Sequence, residues 1–268
     1  MIVAVLLSAM VLLGWTFISD KYFPAPKPAK PVITAPAAPG VAASSVTTGA
    51  SVPGVTATTV IADRGKVIAA SPRVAIVTPR LLGSINLKGA RFDDLVLPTY
   101  RVTIDKGSPP VRLLSPSGTA DAYFGQFGWT GAGAPPADAL WTASAPRLTP
   151  EAPVTLSWTS PTGVVFEQVV AIDKDFLFTV RQRVRNLGSA PLALQPWGLV
   201  SRLGTGTEKN ASNLHVGPIG VMDGTLRDSE VNYDKLVDKG PQLYQTTGGW
   251  LGITEKYWLA ALIPDQKS

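Results

Sequence analysis

The sequence predicts an all-β domain of antiparallel strands, built as a sandwich or a barrel, over most of its 268 residues. Three observations support this fold class. Short runs rich in β-branched and aromatic residues recur after Asp63, clusters of Gly, Pro and Asp separate them, and helical periodicity almost vanishes. This spacing is typical of antiparallel sandwiches and barrels.

The individual strands follow from these runs. The clearest is Phe176 to Arg185, where Phe178, Val180 and Val184 alternate with Thr and Arg, so one face is expected to be buried and the other wet. Gln182 interrupts the apolar face. The other predicted strands are Arg73 to Thr78, Gly83 to Leu87, Leu95 to Leu97, Tyr100 to Ile104, Val111 to Leu114, Val154 to Trp158 and Val164 to Ile172.

Two later segments are less regular. Leu192 to Leu203 is apolar but carries Pro196 and Gly198 in its middle, which predicts a bulge or bend rather than a flat central strand. Ser229 to Lys239 predicts a short helix, because its apolar residues share one face and Gly240 is placed to end it.

The first eighteen residues predict a retained transmembrane helix. Met1 to Ile18 carries no charge, and a bilayer core requires about 17 to 25 apolar residues at helical rise. A cleaved signal peptide is the competing interpretation, but no basic residue precedes the run and no well-placed cleavage site follows it. The aromatic residues that mark the membrane exit are Trp15, Phe17, Tyr22 and Phe23.

Residues 19–62 predict a flexible linker rich in Pro and Ala. No charge occurs from Pro31 to Ala62, and proline fixes φ and removes a donor, so the segment is expected to be an extended tether. About forty residues at about 3.1 Å each would reach on the order of 100 Å. Residues 63–268 would then form the β domain. Lys21, Lys27 and Lys30 follow the helix, so the positive-inside rule alone would place that side in the cytoplasm.

Composition excludes several functional classes. The 45% of hydrophobic residues and 16% of charged residues are too apolar for a disordered protein. The net charge is only +5, and part of it lies before the β domain, so the sequence does not show the concentrated basic surface of a nucleic-acid-binding protein. The absence of cysteine removes disulfides and thiolate metal sites.

No catalytic, cofactor-binding or metal site is predicted. His215 is the only histidine, which excludes a His–His metal site, and no Gly-x-Ser-x-Gly motif accompanies it, so it is expected to be structural or exposed. Asp93 and Asp94 are neighbours, which on a strand point to opposite faces, so they are not expected to form a carboxylate pair on one side. Gly204 to Thr207 is rich in glycine, but neither a GKS or GKT sequence nor a third glycine at dinucleotide-binding spacing follows it. A loop without a phosphate site is therefore predicted there.

Two surface features keep alternative interpretations. The seven tryptophans are expected mainly to pack in the core, with a carbohydrate or peptide groove as the alternative. The stripe Arg181, Arg183 and Arg185 is either the solvated face of a strand or a contact for anionic lipid headgroups or an acidic partner.

Three segments carry a family resemblance. They are TPRLLGSINLKGARFDDLVL (Thr78 to Leu97), YFGQFGW (Tyr123 to Trp129) and, most specific, GGWLGITEKYWLAALIPDQ (Gly248 to Gln266). These segments resemble the periplasmic domain of YidC-type membrane-protein insertases, in the form found in alphaproteobacteria. The order of apolar helix, Pro/Ala-rich tether and large β domain is similar to that family as well.

The resemblance implies a twisted β-supersandwich, similar in shape to sugar mutarotases, on the periplasmic face of the bacterial inner membrane. It implies no enzyme activity and no cofactor. Mutarotase-like epimerases rely on paired histidines, this sequence has only His215, and a similar fold does not by itself imply the same activity. It further implies a role in membrane-protein insertion and folding, with SecDF, SecYEG, nascent membrane proteins and inner-membrane lipid as partners. The insertase helices of the family are expected beyond Ser268, which makes this chain a fragment.

A different functional class stays open beside this one. A membrane-tethered sandwich that binds or modifies carbohydrate would also carry exposed aromatic residues. A sugar titration followed by tryptophan fluorescence separates the two, because only the second class predicts saturable binding of a specific sugar.

Overall fold

A computed structural model describes residues 61–205, 215–228, 231, 233–255 and 257–266, all within one compact unit. The predicted transmembrane helix, residues 1–18, and all but the end of the predicted linker, residues 19–62, lie outside these ranges. Within them, no helix combines the length and the apolar character needed to cross a bilayer.

The described strands are β1 (Arg73–Val77), β2 (Leu82–Asn86), β3 (Arg91–Arg101), β4 (Pro110–Leu114), β5 (Tyr123–Thr130), β6 (Thr142–Ala143), β7 (Arg147–Leu148), β8 (Val154–Thr159), β9 (Val164–Ile172), β10 (Phe178–Asn186), β11 (Gln195–Arg202), β12 (Gly217–Met222), β13 (Thr225–Arg227), β14 (Trp250–Thr254) and β15 (Leu259–Leu262). They form three sheets. The first has the order β11-β5-β3-β2-β1-β7, with β4 also paired to β3; the second has the order β10-β9-β8-β6, and the third β13-β12-β14-β15. Every strand pairing is antiparallel except the short parallel contact between β1 and β7. The all-β antiparallel fold class is therefore confirmed.

The hydrophobic core lies between the first two sheets. Trp129 on β5 packs against Phe166 on β9, with ring centroids 5.2 Å apart, and Phe92 on β3 packs against Phe178 on β10 at 5.2 Å. Strand β9 alternates strictly between buried and half-buried residues. This alternation is the expected result of a period of two in a strand that lines a core on one face.

Two short helices accompany the sheets. Helix α1 (Arg64–Ala69) begins at Asp63, whose side chain accepts a hydrogen bond from the Lys66 amide at 3.1 Å. Helix α2 (Tyr233–Lys239) falls inside the predicted helical segment. Gly240 ends it as predicted, with φ +72° and an amide that donates to the Leu236 carbonyl at 3.0 Å.

Two strand predictions need correction. The predicted strand Tyr100 to Ile104 stops at Arg101, because the Thr103 amide donates to the Ser108 hydroxyl at 2.9 Å and the chain turns toward β4. The predicted bulge or bend near Pro196 is also wrong.

Strand β11 pairs with β5 in one unbroken register from Gln195 to Arg202. It tolerates Pro196 because it is an edge strand, where a residue without an N–H need not interrupt a central ladder.

Candidate interaction surface

A β-bulge brings Asp93 and Asp94 into one buried polar network. The pairing of β2 with β3 shifts between Ser84 and Ile85, which leaves Asp93 as the extra residue. Arg73 donates to the Asp93 carboxylate and, at 2.7 Å, to the Ser84 hydroxyl, which donates to Asp94 at 2.6 Å. The two carboxylates therefore share one network through Arg73 and Ser84, although no direct contact joins them, because the bulge interrupts the alternation from which opposite faces were predicted.

The network pairs two arginines with two carboxylates, and it is most deeply buried at Arg73 and Asp93. Arg64 on α1 pairs with Asp94, and Asn86 donates to Asp93 at 3.3 Å. Burial raises the pKa of the Asp93 carboxyl, whose residue is only 1% exposed, while the Arg73 guanidinium acts in the opposite direction. These contacts link α1, β1, β2 and β3 to one another.

Glutamine side chains cross-link the first two sheets. Gln168 donates from Nε2 to the Phe127 carbonyl at 2.9 Å, and Gln182 donates to the Gly128 carbonyl at 2.8 Å. The two glutamines are register partners on β9 and β10. The polar interruption in the apolar face of β10 is thus explained, because the half-buried side chain of Gln182 has a backbone carbonyl of β5 as its hydrogen-bond partner.

A second polar cluster joins the first and third sheets. Arg202 pairs with Glu255, and its guanidinium lies 4.9 Å from the centroid of the Tyr123 ring. The Tyr123 hydroxyl donates to the Ile253 carbonyl at 3.0 Å. Burial raises the pKa of Tyr123, although the Arg202 charge opposes this. The phenol therefore stays protonated at neutral pH and serves as a donor. Tyr123 begins the segment YFGQFGW, but nothing in the sequence indicated this contact.

The sequence-predicted polar residues do not assemble into a reaction centre. His215 donates from Nε2 to the Pro218 carbonyl at 2.8 Å. In the ranges that the structure covers, no group of three His, Cys, Asp or Glu residues is close enough to hold a metal ion. Gly204 has φ +72° in an open loop, and Gly206 and Thr207 lie outside the described residues. That the chain carries no catalytic or cofactor site stays a prediction.

The core interpretation of the tryptophans is confirmed for two of them. Trp129 and Trp141 are buried and stack with centroids 6.4 Å apart. They are consequently not available to line a carbohydrate groove. Trp15 lies outside the described residues.

The arginine stripe lies on the outer face of β10. Arg181, Arg183 and Arg185 are exposed, whereas Phe178 and Val184 on the opposite face are half-buried, so the predicted alternation is confirmed. Within this stripe, Arg185 forms an ion pair with Glu167 on β9 at 3.4 Å. Strand β10 is also an edge of the second sheet. This charged edge is the candidate interaction surface, and we call it the β10 edge.

The fold and this surface define a class of protein: an all-β domain of antiparallel sheets that exposes a charged strand at a sheet edge. Comparison with known proteins identifies the family. The sequence profile of the YidC periplasmic domain matches residues 73–268, and the chain belongs to this family.

The relatives come from alphaproteobacteria and carry the name Membrane protein insertase YidC. The protein of Acidiphilium cryptum is 48% identical over 74% of this chain and 35% of its own length. The protein of Methylorubrum extorquens is 41% identical over 99% of this chain and 47% of its own length. The protein of Bradyrhizobium diazoefficiens is 45% identical over 75% and 33%, respectively. The chain thus spans less than half the length of these relatives.

Proposed function

We propose that the chain is the N-terminal anchor and periplasmic interaction domain of a membrane-protein insertase and foldase, which supports Sec-dependent and Sec-independent insertion. The match of residues 73–268 to the YidC periplasmic domain carries this proposal. Residues 1–18 would form the transmembrane helix, residues 19–62 the tether and residues 63–268 the periplasmic domain. The protein would reside in the bacterial inner membrane and carry out no enzymatic reaction.

The partners proposed for this domain are SecDF and SecYEG, nascent membrane proteins and inner-membrane lipid. A tethered domain raises the local concentration of a partner and needs no active site for this purpose. The exposed β10 edge supports a contact role, because its charges and its open strand edge remain available on the surface.

These 268 residues are not expected to carry out the insertion step themselves. Moving one charged residue to the centre of a bilayer helix costs about 2.5 to 3.5 kcal/mol on translocon scales. Met1 to Ile18 carries no ionisable side chain that would line a hydrophilic route. We therefore assign insertion to parts of the longer relatives that this chain does not cover.

Genetic complementation tests the proposal. The native insertase is depleted, and cells then express either these 268 residues or a version extended to the length of the relatives. We expect SecDF subunits to co-purify with the 268-residue chain while growth is rescued only by the longer protein. Growth rescue by the 268 residues alone would show that insertion resides within them.

Topology is tested separately. Ser45→Cys in the tether should react with a membrane-impermeant maleimide added to intact spheroplasts, because the proposal places the tether in the periplasm. A cysteine that is labelled only after lysis would reverse this orientation, in agreement with the lysines that follow the helix.

A further inference from the structure

The free edge of β10 has the features of a docking site for an extended peptide. We propose that a segment of a separate polypeptide, with acidic residues on one face and apolar residues on the other, adds to this edge as a fifth strand of the second sheet. The inference deepens the interaction role proposed above and rests on it, since it names the surface and the chemistry of the partner.

The backbone of β10 offers a long and regular edge. All nine residues pair with β9 without a register shift. In the parts of the chain that the structure describes, β10 pairs with β9 alone, and no strand pairs with its other side. The strand contains no proline, glycine or bulge, which proteins commonly use to block edge pairing. An incoming strand would therefore find a full row of N–H and C=O groups.

The apolar face of β10 is incompletely covered. Phe178, Val180 and Val184 pack against the core but remain half-buried, whereas Phe166 and Val170 on the neighbouring strand β9 are completely buried. A further strand beside β10 would place its own apolar residues next to these side chains and complete the layer. Alternate residues of the occupant should thus be aliphatic or aromatic.

The outer face determines the charge of the occupant. Arg181, Arg183 and Arg185 follow one another at every second residue, about 6.6 Å apart at strand rise. Only Glu167 opposes them on the neighbouring strand β9, where it is the register partner of Arg183. Residues directly opposite one another across a new ladder share a face, so acidic residues at alternate positions would meet the arginines.

Charge and geometry together favour this occupant over two others. A second copy that paired through its own β10 in antiparallel orientation would bring arginines against arginines, which is unfavourable. An anionic lipid surface would satisfy the arginines but would leave the backbone edge and the half-buried apolar face without partners. An acidic, alternating strand uses all three features.

Fluorescence anisotropy with a labelled nine-residue peptide of alternating Val and Glu tests the proposal on the 268-residue chain in detergent. We expect saturable binding that weakens at least tenfold in Arg181→Glu/Arg183→Glu. The matched control, Lys106→Glu/Arg147→Glu, makes the same charge change at exposed positions outside β10 and should change affinity less than twofold. A second variant, Arg181→Gln/Arg183→Gln, places no new acid beside Glu167 and should also weaken binding. It keeps the proposal testable if the charge-reversed variant fails to fold.

Peptide controls separate strand addition from simple charge attraction. Two further peptides carry N-methyl groups on all the Glu amides or on all the Val amides, which point to opposite edges of an extended peptide. Because only one edge can face β10, we expect one of these peptides to lose binding; binding of both with the affinity of the parent peptide would overturn the proposal. A peptide with Lys in place of Glu should not bind either. Loss of binding to phosphatidylglycerol vesicles in the arginine variants, with no peptide binding to the parent chain, would assign the surface to lipid instead. If peptide binding fails while the complementation result holds, only this inference falls.

Discussion

Replacing Gly83 by alanine should disrupt the β-bulge on which the buried network depends. Gly83 has φ +153° at the start of β2, and a Cβ built there would overlap the backbone carbonyl oxygen of Asp94. The obstacle is backbone rather than the end of a flexible side chain, so β2 and β3 would have to separate. That movement would act directly on Asp94 and its hydrogen bond from Ser84.

The expected cost combines two effects. An alanine forced into this backbone conformation costs about 1 to 3 kcal/mol, and overpacking against fixed atoms adds about 1 to 3 kcal/mol. A loss of about 4 kcal/mol would be a large part of the 5 to 15 kcal/mol that stabilises a typical domain. At a urea dependence of about 1 to 3 kcal/mol per molar, the unfolding midpoint should fall by more than about 1 M.

Urea unfolding followed by tryptophan fluorescence measures this loss, since Trp129 and Trp141 report on the core. Gly107→Ala is the matched control, because Gly107 lies in the turn between β3 and β4, has no positive φ and has nothing within 4 Å of the added methyl group. It should leave stability unchanged within about 1 kcal/mol. A Gly83→Ala protein as stable as the control would refute the close approach of β2 and β3 at the bulge.

Three further predictions concern charge and domain organisation. Arg73→Met should lower stability at neutral pH by about 3 to 5 kcal/mol, because it leaves Asp93 buried without its partner. Burial raises the pKa of Asp93, so part of this loss of stability should disappear as the pH falls toward 3.8 and the carboxyl takes up a proton. The control Arg80→Met removes an exposed ion pair and should cost no more than about 1 kcal/mol. Equal losses in the two variants would contradict a buried network. Asp121→Asn should make the unfolding free energy fall less steeply with decreasing pH. Burial acts in the opposite direction, but hydroxyl and backbone hydrogen bonds lower the pKa of Asp121, so its contribution to stability is present above 3.8 and is lost as the pH falls through the folded-state pKa. An unchanged dependence of the urea midpoint on pH would count against these hydrogen bonds. Deletion of Met1 to Ala62 should leave a soluble, β-rich domain that melts cooperatively, and a helix-dominated far-ultraviolet dichroism spectrum would contradict this.

Local patterns were sufficient to predict much of the secondary structure. The alternation of apolar residues and arginines in β10 predicted both its strand and its exposed face, because side chains in a strand change face at every residue. Gly240 marked the end of α2 because glycine adopts positive φ without steric cost. The family resemblance was also confirmed. It was based on contiguous segments such as Gly248 to Gln266, which can be recognised in a sequence without knowledge of the fold.

Only the tertiary structure decided features that depend on pairing between distant residues. The bulge at Asp93 exists because β2 and β3 shift register, and no property of the Asp93–Asp94 pair alone reports its partner strand. The roles of Gln168 and Gln182 likewise depend on β5, whose carbonyls they contact from 41 and 54 residues further along the chain. Pro196 is compatible with a regular strand because β11 lies at a sheet edge, and strand order is a long-range property. Periodicity thus determined which residues face the core, whereas strand partners determined which polar residues that core accepts.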